Sequence, residues 1–159
     1  MTTKLTPLRG FADNDVRAAL GRIVMTKGVY DLTHAAHVRS LVSARALGDT
    51  LVVGLATDES VRRTKGPTRP ILSFAERAEI LSALSCVDYV VEDDAGSTAR
   101  TIRAVRPARV CASHFGWINP ADRADLESQG VAFTKLPRPA LRSTSEIIAS
   151  IVNAEGVKL

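Results

Sequence analysis

Residues 24–37 read VMTKGVYDLTHAAH. An apolar strand, Ile23 to Met25, runs into a glycine turn at Gly28. The polar link Tyr30-Asp31-Leu32-Thr33 then leads to two histidines three positions apart, His34 and His37. The next residues, VRSLVSARALGD, carry apolar side chains at helical spacing. The histidines are therefore predicted at a helix N-terminus, just past the end of a strand. Such a terminus offers unpaired N–H groups and roughly half a positive charge. It is a ready site for phosphate. Two imidazoles one turn apart there point at the same anion.

Outward from this stretch the chain alternates. Strands are predicted at Leu51–Ala56, Tyr89–Val91, Arg109–Ala112 and Val131–Lys135. Helices are predicted at His34–Leu47, Glu59–Arg63, Ser73–Leu84, Ala99–Val105, Ala121–Ser128 and Ser145–Asn153. Ser73 with Glu76 three residues on forms a capping box. Residues 64–72, TKGPTRPIL, hold two prolines and a glycine and are expected as a loop. Strands alternating with helices at this pitch predict an α/β fold with a parallel sheet of about five strands and helices on both faces. Ligands bind such sheets at the carboxyl ends of the strands, the edge on which the polar motifs fall. Residues 1–21 are expected as a leader, disordered or loosely packed over 1–11 and with a short helix at Asp13–Leu20, residues 22–153 as the single domain, and 154–159 as a tail.

The chain has 159 residues, 45% of them hydrophobic and 24% charged, which suits one soluble globular domain. Aromatics make up only 4%, so the core is aliphatic and base-stacking platforms are scarce. The formal charge of +4 points to an anionic partner, and the basic residues are dispersed, which suits a nucleotide rather than a nucleic acid. Cys86 and Cys111 form no metal-ligand spacing and are expected as reduced core residues. No apolar run is long enough to span a bilayer and no signal peptide is seen, so a cytoplasmic enzyme without membrane partners is expected.

The opening stretch resembles the G-x-[FY]-D-[LI]-x-H-x-G-H signature of the cytidylyltransferase-like nucleotidyltransferases, with Ala36 where that signature has glycine. Three further blocks follow in order. KGPTRP at 65–70, leading to ERAEIL at 76–81, resembles a block of heptose-phosphate adenylyltransferases. VCASHFGW at 110–117 keeps a tryptophan but lacks the acidic pair of glycerol-3-phosphate cytidylyltransferases. LPRPALRSTS at 136–145 is similar to the leucine-proline-arginine and Ser-Thr-Thr block of those cytidylyltransferases, whereas Arg142 is more like the heptose enzymes.

The resemblance implies a Rossmann-like domain that transfers a nucleotidyl group to a phosphorylated small molecule and releases pyrophosphate. His34, His37, Lys65 and Arg138 would be catalytic. Gly28, Val29, Tyr30, Asp31, Arg77, Ser143, Thr144 and Ser145 would bind the nucleotide. His114, Phe115 and Trp117 would shape the acceptor pocket. Asp31 would orient a histidine or metal-bound waters, and Lys65 would close over the triphosphate on a mobile loop. Mg²⁺ is the expected cofactor, carried by the triphosphate rather than by a protein ligand set. Homodimers are usual in the family. CTP with a glycerol-3-phosphate-like acceptor is the leading substrate pair, ATP with a heptose 1-phosphate the alternative, and an archaeal-type flavin adenylyltransferase the third. Ala36 and the altered 110–117 block motivate a rival from another class, a nucleotide-binding protein without catalysis.

Overall fold

A computed structural model of the protein describes residues 4–94 and 96–154. After a 3-10 turn at Leu8–Phe11 the elements run α1 (Asn14–Ala19), β1 (Ile23–Gly28), α2 (Ala35–Arg45), β2 (Thr50–Ala56), α3 (Asp58–Lys65) and α4 (Phe74–Ala83). They continue with β3 (Tyr89–Asp93), α5 (Thr98–Val105), β4 (Arg109–Ala112), α6 (Pro120–Ser128), β5 (Ala132–Lys135) and α7 (Thr144–Ala154). All pairings are parallel, and the five strands lie in the order β3-β2-β1-β4-β5. This is the doubly wound, Rossmann-like sheet that the alternation of elements predicts.

Strand alternation divides the core in two. Val24, Leu51, Val53 and Leu55 face one side, where Leu41 and Ala44 of α2 and Ala78 and Leu81 of α4 cover them. Ile23, Met25 and Val52 face the other, against Ile102 and Val105 of α5 and Leu126 of α6. Side chains of period two on the strands meet helical stripes of period 3.6 on each face. Local caps fix where the helices start. Thr57 caps α3 by accepting from the Ser60 amide at 3.1 Å, and the Ser73–Glu76 capping box is present on α4.

From Lys4 onward the leader is not loosely packed; residues 1–3 lie outside the described residues. Leu5 bridges Val90 in parallel, with Thr6 N donating to Val90 O at 2.8 Å and Val90 N to Lys4 O at 3.0 Å. The Lys4 ammonium donates to Leu84 O at 2.8 Å and Val87 O at 2.6 Å. Phe11 is buried, with its ring edge-on to Tyr89. The physical reason is the free edge of β3, whose unpaired backbone groups take up the passing chain. A polar, proline-bearing segment gives no periodicity from which this pairing could be read. Of the expected tail, residues 155–159 lie outside the described residues.

Candidate functional site

The strand order reverses at β1, which has β2 on one side and β4 on the other. Crevices at such switch points open beyond the carboxyl ends of the strands. A cleft of about 480 Å³ lies there, bounded by the end of β1, the first turn of α2, the last turn of α3 and the segment after β4.

His34 is the N-cap of α2, with extended backbone (φ −136°, ψ 174°) and no capping hydrogen bond from its side chain. The helix thus begins one residue later than the spacing predicts, and its first amides have no side-chain cap. The imidazoles of His34 and His37 stack with centroids 4.0 Å apart. His34 Nε2 and His37 Nδ1 are buried without a hydrogen-bond partner. Such groups are costly in a finished core and are found where a ligand is received. Burial, His34 and Lys65 together push the His37 pKa down to about 4, and burial also lowers that of His34. Both rings are therefore neutral in the free protein at pH 7.

The turn before the histidines is strained. Tyr30 and Leu32 have φ of 52° and 46°, in the left-handed region that non-glycine residues avoid. Tyr30 is buried against the His37 ring, centroids 5.3 Å apart, and burial raises its pKa to about 12. Gly28 is required for this packing, since an added Cβ would lie 2.8 Å from the Tyr30 ring.

Asp31 is almost fully buried. Its carboxylate accepts from the Arg69 guanidinium at 3.0 and 2.8 Å, and from the amides of Ile71 at 2.9 Å and Leu72 at 3.0 Å. Burial alone would raise the Asp31 pKa, but the Leu72 and Ile71 amides and the Arg69 charge outweigh it and hold the carboxyl below its ordinary value. This corrects two expectations. Asp31 fastens the 66–72 loop instead of orienting a histidine or waters, and that loop is anchored at Arg69 instead of free along its length.

The sequence profile described as cytidylyltransferase-like matches residues 25–149. The chain belongs to the cytidylyltransferase-like family. Bifunctional protein HldE of Geobacter sulfurreducens is 41% identical over 136 residues, which cover 85% of this chain and 28% of that protein. Bifunctional protein HldE of Trichlorobacter lovleyi is 45% identical over 137 residues, 86% of this chain and 28% of that one. The chain therefore spans little more than a quarter of the length of these curated relatives. The crystal structure of the lipopolysaccharide core biosynthesis protein from Thermoplasma volcanium GSS1 superposes with a TM-score of 0.64 at 27% identity, covering 74% of this chain and 98% of that one.

Within the cleft the structure gathers Gly28, Val29, Tyr30, His37, Lys65, His114 and Trp117 from distant parts of the sequence. Lys65 is exposed at the last position of α3, so it stands on a helix end and not within the loop. Arg138 is exposed beside a neighbouring hollow that shares Ser113, His114 and Leu136 with the cleft.

Five other expectations change. Arg77 faces inward and is fully buried, donating to Val29 O at 2.6 Å, Leu72 O at 3.1 Å and Asp58 Oδ1 at 2.6 Å. It braces the turn from beneath, and all three of these bonds go to protein groups. Ser143 and Glu146 form reciprocal capping bonds, with the Glu146 carboxylate accepting from both Ser143 N and Oγ at 2.6 Å. Thr144 Oγ1 donates to Asp31 O at 3.1 Å, and Ser145 is exposed outside the cleft lining. The start of α7 thus holds a carboxylate, which opposes the nucleotide-binding role expected of Ser143, Thr144 and Ser145. Phe115 packs edge-on against Phe133 under the Arg123 guanidinium and does not line the cleft.

Sequence reasoning missed Lys27. It lines the cleft from β1 and pairs with buried Asp93. The signal was a lysine inside an otherwise apolar or small-residue strand end, within the opening stretch itself.

Proposed function

We propose that this domain transfers an adenylyl group from ATP to a sugar 1-phosphate of the heptose type. An acceptor phosphate oxygen attacks the α-phosphorus in line. The bond to the bridging oxygen breaks, and pyrophosphate leaves with its electron pair. The nucleophile is already an anion, so positioning and charge stabilisation suffice. The observation that carries the reading is the His34–His37 stack at the uncapped start of α2, with two buried, unpartnered ring nitrogens beside the switch-point cleft. His37 donates to the phosphates from the cleft wall, and His34 sets its ring. Lys65 brings a cation from the end of α3.

Identity of four residues in ten to HldE proteins and the KGPTRP block favour ATP and a sugar phosphate. The CTP and glycerol-phosphate pairing drew on the 136–145 block, whose Ser143 and Thr144 hydroxyls are engaged by Glu146 and Asp31. No group of three or more metal-ligating side chains exists among the described residues, and the Asp31 carboxylate accepts from Arg69, Ile71 and Leu72. These residues fit Mg²⁺ only as a passenger of the triphosphate, where it would supply charge neutralisation. Assembly as a homodimer belongs to the same reading by family resemblance. No described helix is long and apolar enough to cross a membrane.

The test is a pyrophosphate-release assay of ATP and CTP against sugar 1-phosphates and glycerol 3-phosphate. ATP with a heptose-type 1-phosphate should give the fastest turnover. Faster turnover of CTP with glycerol 3-phosphate would reverse the substrate assignment. Nucleotide binding without release in any pair would favour the non-catalytic rival.

A further inference from the structure

At the carboxyl edge of the sheet, β1 and β3 reach toward each other across β2. The Lys27 ammonium lies 3.2 Å from Asp93 Oδ2, and the intervening residue of β2, paired in register with Lys27, is Gly54. A Cβ on Gly54 would sit 3.0 Å from the Met25 methyl and 3.3 Å from the Asp93 Cβ. The strand between the two charges is thus kept bare of side chain. Thr98, at the start of α5, closes a triangle: Lys27 donates to its hydroxyl at 2.8 Å, and that hydroxyl lies 3.0 Å from Asp93 Oδ2. The Lys27 side chain is 10% exposed and that of Asp93 is 0% exposed.

The ammonium also sits over the Trp117 ring, 4.9 Å from its centroid. Trp117 is held at its edge as well, its Nε1 donating to His114 O at 2.8 Å. Lys27 and Trp117 both line the cleft. Asp93 balances the Lys27 charge, and two of the ammonium's donors point at Thr98 and Asp93, so Lys27 is poorly suited to attract a phosphate. It is well suited to hold an aromatic ring, because a desolvated cation binds an indole face strongly.

We propose that Lys27 sets acceptor selectivity in this cleft by fixing Trp117 as the wall against which the non-phosphate part of the acceptor lies. Lys27 is a positioning residue: it acts through Trp117 and not on the transferred phosphorus. An indole face held in place favours an acceptor with an apolar ring face, such as a sugar, over a short open chain.

This inference rests on reading the cleft as a nucleotidyltransferase site, and one set of measurements keeps the two apart. Trp117 is the only tryptophan in the chain, so fluorescence excited at the red edge, beyond the absorption of Tyr30 and Tyr89, reports on it alone. Lys27→Met leaves Asp93 buried without its cation. The paired variant Lys27→Met/Asp93→Asn removes both charges and carries the test if the single variant does not fold. Lys27→Arg keeps a cation. In the methionine variants acrylamide quenching of Trp117 should rise about twofold, and KM for the sugar 1-phosphate up to about thirtyfold, the ratio that a desolvated cation–π contact supplies. KM for ATP should stay within about twofold, and Lys27→Arg should restore most of both readouts. Unchanged quenching, or an equal rise in both KM values, overturns the proposal. If the wild type releases no pyrophosphate with any pair, the proposed function falls, and the quenching result alone decides whether Lys27 positions Trp117.

Discussion

The rings of His34 and His37 stack at 4.0 Å with their planes 29° apart. Two imidazoles at that distance cannot both carry a proton without strong repulsion, and burial already disfavours the charge on His37. The pair waits as neutral donors and acceptors. A polyphosphate arriving beside it favours the protonated forms.

Stability should therefore depend on pH with a definite sign. The His37 pKa falls from 6.5 to about 4 on folding. Between those values the unfolded chain binds a proton that the folded chain excludes, so stability is full above the upper value and is lost as pH drops through the window. The loss should amount to about 1–2 kcal/mol once partial exposure is allowed for. Thermal melts across this range should show it, and His37→Gln should remove most of the slope. Added inorganic pyrophosphate should flatten the wild-type slope, and an unaltered slope with the ligand bound would count against phosphate contact by this pair.

His37→Ala should lower turnover roughly a hundredfold to a thousandfold, the usual cost of one preorganised donor. Its helix tolerates alanine, so the melting temperature at neutral pH should hold. Wild-type-like turnover would remove His37 from the site.

Arg77→Met should act on the fold and not on nucleotide affinity. It strips three hydrogen bonds from a fully buried guanidinium and leaves Asp58 without its partner. Breaking a buried pair in this way costs about 3–5 kcal/mol. Denaturant unfolding measures it directly. A stable variant with weakened ATP binding would restore the nucleotide-facing role.

Lys65→Ala gives the opposite pattern. The side chain is exposed at the end of α3, so stability should change by about 0.5 kcal/mol or less. Calorimetric affinity for the triphosphate should fall. A collapse of the melting temperature would show that Lys65 is structural.

Ala36→Gly tests the departure from the family signature. Ala36 lies in the first turn of α2, and glycine there should lower stability by up to about 1 kcal/mol. Pyrophosphate release should change modestly if alanine leaves the phosphate path open. Turnover gained only in the glycine variant would mean that the methyl blocks it.

The sequence by itself determined the alternation of strands and helices, the place of the histidine pair and the capped start of α4. Each follows from interactions within a few residues: periodicity, a glycine turn, a serine three positions before a glutamate. It also carried the family, because its motifs keep their order and spacing. Tertiary structure decided what the polar residues of those motifs do. Asp31 and Arg69 are 38 positions apart, Arg77 and Val29 are 48 apart, and Thr144 and Asp31 are 113 apart. Whether a charged side chain turns to a ligand or to a buried backbone carbonyl depends on which distant groups the sheet brings beside it. Local spacing holds no record of that, so Arg77, Asp31, Ser143 and Thr144 read as nucleotide-binding residues, whereas in the fold each bonds to distant or capping protein groups. The pairing of Lys27 with Asp93 across Gly54, and the docking of Leu5 on Val90, likewise exist only once three parallel strands lie side by side.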